Sequence, residues 1–340
     1  MAVYLRELCD TDGVSGGEGA VREFIAGKIE PHADGIFTDT IGNLVAFKKG
    51  KSSEKKLMLS AHTDEVGFII SKITEKGFLE FKTVGGIDPR VIISKRVRIG
   101  KNKVNGVIAM KAVHLQSTSE RSSVPKVREL YIDIGARSAD EAKKKVSLGD
   151  YVAFVTEYEQ IGSRIKAKAI DDRAGCAILM DLIEQTPAYD TYFCFTTQEE
   201  VGLRGARLCA ARIKPDAALV IEATTCSDTA GVEQHSAVTL LGGGAAISFA
   251  DRTTIVPEDY CRALFELAAE HKIKVQYKAA VSGGNDAGAI HLAVGGIKTA
   301  SVSVPARYIH SPASVADIGD IEAVRALAGA FLANADKIII

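Results

Sequence analysis

The sequence predicts an α/β fold that carries its chemistry along one edge of a sheet and is interrupted by a smaller all-β domain. Three observations lead there. Short apolar runs alternate with helix-patterned segments towards both ends of the chain, as in a sheet flanked by helices. Several of those runs stop at an acidic residue or a histidine, which points to a site at the carboxyl edge of the sheet. Between them helical patterning nearly vanishes, and short strand-like runs are separated by turn residues. The predicted division is a first α/β part over 1–65, an inserted β-barrel over 66–160, and a second α/β part over 161–340.

In chain order, Glu18 to Ile29 has helical spacing through Val21, Phe24, Ile25 and Ile29. Asp39 to Leu44 turns into a strand at Val45, and Leu57 to Ala61 is a buried strand running into His62-Thr63-Asp64. Within the insertion, Val66 to Lys72, Phe78 to Thr83, Arg96 to Ile99, Val107 to Lys111, Glu129 to Ile134 and Asp150 to Val155 read as strands. Ser138 to Lys145 reads as a helix, and the Ser-rich, charged Val113 to Val127 as an exposed loop. Near Ile161 the α/β rhythm returns: a helix from Ala174 to Gln185, a strand from Tyr192 to Thr197, a helix over Ala206 to Arg212, and a strand from Ala217 to Glu222. Glu258 to His271 and Ile321 to Leu332 are amphipathic helices, and Val302 to Val304 is a late strand.

With 340 residues, the chain has room for a large core and two domains. A net charge of -1 without a basic block gives no footprint for nucleic acid or an anionic membrane. Cys9, Cys176, Cys194, Cys209, Cys226 and Cys261 form no CxxC pair and read as reduced core residues. With Arg6, Glu7 and Asp10 in its first apolar stretch, the start does not read as a signal peptide, and no window is apolar enough for a membrane span. The expected location is cytoplasmic.

Five places share one arrangement, an apolar strand delivering a metal-capable side chain at or just past its end. They are His62 with Asp64, Asp171, Glu199 with Glu200, Glu222, and His310. Imidazole and carboxylate without thiolate suit catalytic zinc, cobalt or manganese better than a closed structural zinc site. Adjacent side chains on extended backbone point apart, so Glu199 and Glu200 can divide the work between holding a cation and moving a proton. Plainer readings exist for each. Glu199 and Glu200 can complement a helix dipole, Asp171-Asp172-Arg173 can cap a helix with a surface ion pair, and Glu222 can sit in a buried ion pair. Asp286 either shapes a turn or faces a substrate, and Arg252 either lines a pocket or is a solvated loop charge. His32, His114, His235, His271 and His291 match no such arrangement.

The stretches Ser60-Ala61-His62-Thr63-Asp64-Glu65-Val66-Gly67, Ala169-Ile170-Asp171-Asp172-Arg173-Ala174-Gly175, Gln198-Glu199-Glu200-Val201-Gly202 and Arg307-Tyr308-Ile309-His310-Ser311-Pro312 carry a family likeness. Val14-Ser15-Gly16, Gly42-Asn43-Leu44 and Gly284-Asn285-Asp286-Ala287 add to it. Together they resemble the glutamyl/deblocking aminopeptidases, co-catalytic metallopeptidases that form tetrahedral dodecamers, over essentially the whole chain. The resemblance implies a phosphorylase/hydrolase-like mixed sheet and a PDZ-like inserted barrel used in dimerisation. It implies two divalent ions, zinc or cobalt with manganese as an alternative. His62 and Glu222 would hold one ion, Glu200 and His310 the other, with Asp171 bridging, Asp64 orienting His62, and Glu199 as the general base towards a metal-activated water. Small peptides would be the substrates, and the assembly a homo-oligomer, a dodecamer. Glu222 stands where the family usually has Asp, and Asn285 where Thr is more usual.

The charges agree with a hydrolytic pair of ions: Asp171, Glu200 and Glu222 bring three negative charges against four, a balance that favours bound hydroxide. Paired carboxylates also serve glycoside hydrolysis, and some similar sequences carry an endoglucanase label. The absence of tryptophan and the histidines beside the acids rank that alternative low. A non-enzymatic protein using metals structurally would have no use for an uncoordinated Glu199.

Overall fold

Residues 57–61 alternate between two apolar clusters: Leu57, Leu59 and Ala61 join one and Met58 the other. A strand whose two faces are both buried demands a layer of helices on each side. A computed structural model describes residues 3–339. The chain opens with α1 (Leu5–Asp10) and α2 (Gly19–Ile29), then β1 (Gly35–Thr38), β2 (Leu44–Lys48) and β3 (Ser52–His62). The insertion supplies β4 (Gly67–Ile73), β5 (Leu79–Val84), β6 (Arg96–Ile99), β7 (Val104–Met110), α3 (Thr118–Ser122), β8 (Leu130–Asp133), α4 (Ala139–Lys143) and β9 (Tyr151–Phe154). A hairpin, β10 (Glu159–Ile161) and β11 (Arg164–Ala167), leads back to α5 (Ile170–Leu182), β12 (Tyr189–Thr196), α6 (Arg204–Ile213) and β13 (Ala217–Thr225). Then come β14 (Ala245–Ile247), α7 (Glu258–Glu270), β15 (Val275–Tyr277), α8 (Ala287–Ile290), β16 (Lys298–Arg307), β17 (Ser314–Asp317) and α9 (Ile318–Ile338).

The α/β sheet has 11 strands in the order β1-β2-β12-β3-β13-β16-β17-β11-β10, with β14 and β15 attached beside β16. Its centre, β12-β3-β13-β16, is parallel, and antiparallel strands extend it on either side. Helices α1, α2, α5, α7 and α9 cover one face, while α6 and α8 cover the other. The sheet is therefore mixed, as expected. Four parallel strands in the middle place four carboxyl ends side by side, which is where an open α/β sheet offers a crevice.

The insertion closes on itself as β4-β5-β8-β7-β6-β9. Closure removes free strand edges. Its interior is organised by Phe68, whose ring meets Phe81 and Phe154 edge-on at centroid distances of 4.9 and 5.2 Å. Each of the six segments predicted as strands is a strand of this barrel, although β7 begins earlier, at Val104. The predicted loop over Val113 to Val127 is exposed but not structureless. It contains α3, nucleated by a capping box in which Ser117 Oγ accepts from Glu120 N at 3.2 Å and Glu120 Oε2 accepts from Ser117 N at 2.6 Å. All six cysteines are free and buried. Among the described residues, no helix is long and apolar enough to cross a membrane.

Candidate metal centre

Strand register brings the first two site residues level. β12 runs parallel to β3 with Thr196 beside His62, and β13 runs parallel to β3 with Val220 beside Ser60. Two residues further on, Glu222 is abreast of His62, and the period of two turns both side chains to the same face. Asp171 enters from the start of α5, Glu199 and Glu200 from the turn after β12, and His310 from the turn after β16. Three of these turns hold a non-glycine residue in the left-handed region: Ala169 at φ 53°, Gln198 at φ 59° and His310 itself at φ 56°. Such conformations are disfavoured for L-residues and gather where a site dictates the backbone.

The five predicted ligands meet. His62 Nε2 lies 3.2 Å from Asp171 Oδ1 and 3.2 Å from Glu222 Oε1. His310 Nε2 lies 3.4 Å from Asp171 Oδ2 and 3.4 Å from Glu200 Oε2. Asp171 thus presents one oxygen to each imidazole. Glu199 Oε2 stands further off, 4.0 Å from His62 Nε2. Ligand atoms of His62, Asp171 and Glu200 fall within 4.8 Å of one another, as do those of His62, Asp172 and Glu222.

Asp64 works largely through its backbone and through the next turn. His62 Nδ1 is 3.1 Å from the Asp64 carbonyl oxygen, which can only accept. Nδ1 therefore carries the proton, and the Nε2 lone pair is directed at the carboxylates. The Asp64 carboxylate, 3.5 Å from Nδ1, accepts from Ser15 Oγ at 2.7 Å and from Glu199 N and Glu200 N at 3.0 and 3.1 Å. One buried carboxylate thereby fixes the backbone on which both glutamates stand.

The electrostatics are those of crowded, buried acids. Burial, followed by the neighbouring Asp171, pushes Glu200 up to about 8. Burial pushes Glu222 up to about 7, although His62 pulls against it. Burial likewise carries Glu199 well above the usual carboxylate range. For His310 burial opposes protonation, but Asp171 and Glu200 outweigh it and raise the imidazole to about 9. Among the described residues, none of the site's carboxylates is ion-paired to a lysine or arginine. Among the described residues, Glu222 Oε2 is buried with no hydrogen-bond partner. Oxygen and imidazole donors with an unmet negative charge fit divalent cations. Sulfur takes no part, since the nearby Cys176 Sγ donates to the His62 carbonyl at 3.1 Å.

Several further residues stand outside the set that the sequence assigns to the centre. Asp172 is fully buried, accepts from Gly175 N at 2.9 Å with Oδ1, and leaves Oδ2 unpartnered behind the His62–Glu222 pair. Its neighbour Arg173 is also fully buried. It donates to the carbonyls of Thr63 and Leu8 and approaches Glu65, so a surface ion pair is excluded. Asp286 accepts from Thr196 Oγ1 at 2.6 Å beneath the end of β12. The Arg252 side chain is exposed. His291 is occupied by the Ala287 carbonyl at 2.9 Å, and His32 lies by Glu184, away from the centre.

A model of the M42 glutamyl aminopeptidase family matches residues 42–327, a span containing every candidate site residue. The chain belongs to this family. M42 peptidases are metallopeptidases, so the chain is a metal-dependent peptidase, and the cluster just described offers histidine and carboxylate donors for a metal ion. The glutamyl aminopeptidase of Lactococcus lactis is 31% identical over 93% of this chain and 91% of its own length. The TET1 peptidase of Pyrococcus horikoshii, described as able to assemble into a tetrahedron or a large octahedral shell, superposes with a TM-score of 0.87. It is 31% identical and covers 98% of this chain and 99% of that one. A Thermotoga maritima structure named as an endoglucanase is 41% identical, with a TM-score of 0.84 and coverage of 99% and 98%. It has the same fold as these M42 peptidases, and its name brings no glycosidase chemistry to this chain.

Proposed function

We propose that this chain is a dinuclear aminopeptidase that removes residues from the N-termini of small peptides. The observation that carries the reading is Asp171, whose two oxygens face two different imidazoles, each with its own glutamate. His62 and Glu222 would hold one divalent cation, His310 and Glu200 the second, and Asp171 both, with zinc or cobalt the best match to the donors and manganese an alternative. When bound, the cations supply Lewis acidity, lowering the pKa of a water and polarising the scissile carbonyl.

The chain's own groups do the rest. Glu199 is held by Asp64 at the rim of the cluster without approaching an imidazole as closely as the other carboxylates. Standing clear of the imidazoles, its carboxylate accepts a proton from the attacking water and returns it to the leaving amine. Asp64 keeps His62 in the tautomer that directs Nε2 inward. Glu222, longer by one methylene than aspartate, still reaches His62 at 3.2 Å.

The chain would divide into domains over 1–65, 66–160 and 161–340, with the barrel as a dimerisation element of a homo-oligomer, a dodecamer by likeness to TET1. Free, buried cysteines suit a reducing, cytoplasmic setting. Hydrolysis of aminoacyl substrates tests the function. Activity should vanish on chelation and return with added zinc, cobalt or manganese. Chelator-resistant hydrolysis of a polysaccharide, with no aminoacyl turnover, would contradict the proposal.

A further inference from the structure

The cavity over the cluster holds a feature that the cation sites do not use. Its volume is ≈ 370 Å³, and its walls include His62, Glu199, Glu222 and His310. Lys278 is the only lysine or arginine among its lining residues. It follows β15 at the sheet edge, where its backbone N–H donates to the Ile247 carbonyl at 3.0 Å. Tyr277 and Ala279 on either side are exposed, whereas Lys278 is turned inward and only 7% exposed. Among the described residues its ammonium has neither a hydrogen bond nor an ion pair.

The Lys278 side chain packs into the wall while its ammonium borders the cavity, and a cation beside a substrate cavity with no partner from the protein is placed to pair with a charge that a ligand brings. Around Lys278 the walls offer hydrogen-bonding groups without charge, from Thr224, Thr225, Ser282 and Asn285. The cavity's carboxylates lie beyond ion-pairing distance of Lys278 and are engaged at the imidazole cluster. The missing counter-charge is therefore one that a substrate brings.

Resting on the aminopeptidase reading, we propose that Lys278 is a specificity residue that receives a carboxylate of the peptide. The cluster takes the free amine and the scissile carbonyl at one end of the cavity. The carboxylate then comes from an N-terminal glutamate or aspartate side chain, or from the C-terminus of a dipeptide. Neutral first residues of the same size lack this ion pair and gain nothing from Lys278.

The test compares kcat/KM on the metal-loaded enzyme for Glu-, Gln- and Leu-p-nitroanilide, and for Leu-Gly and Leu-Gly amide, in wild type and Lys278→Met. Thermal unfolding verifies that the variant is folded, and Lys278→Gln replaces it if it is not. A preference of about tenfold or more for Glu over Gln, collapsing to about twofold or less in the variant, assigns the side-chain source. The same collapse of a preference for Leu-Gly over its amide assigns the C-terminal source. Absence of both preferences, or their persistence in the folded variant, overturns the inference while leaving the peptidase intact. Hydrolysis of none of the five substrates overturns the peptidase reading itself, and this inference with it.

Discussion

Glu199 and Glu200 are neighbours in sequence and in burial, and both backbone N–H groups donate to Asp64, yet their carboxylates reach different places. Glu200 reaches His310 at 3.4 Å, and Glu199 comes only within 4.0 Å of His62. A carboxylate that need not bind a cation is free to exchange a proton. Glu199→Gln keeps size and removes the basic oxygen, so kcat should fall by about 10²–10⁴-fold. The cation content, measured on the same preparation, should stay at the wild-type level. A variant that turns over at the wild-type rate removes Glu199 from the mechanism.

At the scale of elements, the site depends on the turn between β12 and α6, and this turn is braced from outside the active edge. Asn43 Oδ1 accepts from Thr197 N at 2.9 Å, while Asn43 Nδ2 donates to Asp39 Oδ2 at 2.7 Å and to the Gly205 carbonyl at 3.1 Å. Asp39 in turn gathers the N–H groups of Ile41, Gly42 and Asn43 into a tight turn before β2. Gly205 leaves no room at this junction, since a Cβ there would lie 2.2 Å from Asn43 Oδ1 and 2.5 Å from the Thr197 carbonyl oxygen. Gly205→Ala should therefore destabilise the fold by about 1–3 kcal/mol, the usual cost of overpacking. It should also lower kcat, because relief of the clash moves Thr197 and with it Glu199. Thermal unfolding and kinetics measured together check both effects. Wild-type values for the alanine variant would show that the brace does not position the glutamates.

Over the whole molecule, the parts most legible in the sequence are those with a period. The parallel strands announce themselves as apolar runs: His62 ends β3 and Glu199 and Glu200 follow β12, whereas the strand expected to stop at Glu222 continues as β13 to Thr225, with Glu222 inside it. The barrel strands are legible because turn residues such as Gly77, Gly85-Gly86 and Gly149 separate them, although Asn105-Gly106 lies inside β7, paired with Arg98 and Val97, and the turn there falls at 101–103. The β10–β11 hairpin is not, because Glu159, Gln160 and Ile161 are all exposed and show no alternation. Convergence of the ligands is illegible for a different reason: it is a matter of register, and the pairing of Val220 with Ser60 is written nowhere in either strand alone. Asp171 and Asp172 cannot be told apart by type or spacing, since only the entry of α5 turns one to the imidazoles and buries the other behind them. Lys278 belongs to a run with no periodic signal, and its inward turn follows from the pairing of β15 with β14.

The central claim is that one carboxylate, Asp171, serves two cations at once. The direct measurement is the number of divalent ions retained per chain after metal-stripped protein is reloaded and desalted, in wild type and in Asp171→Asn, with Glu222→Gln alongside. The account predicts two ions in wild type, loss of both sites at working concentration in Asp171→Asn, and loss of one in Glu222→Gln. A single ion in wild type, or two ions retained by folded Asp171→Asn, would contradict it.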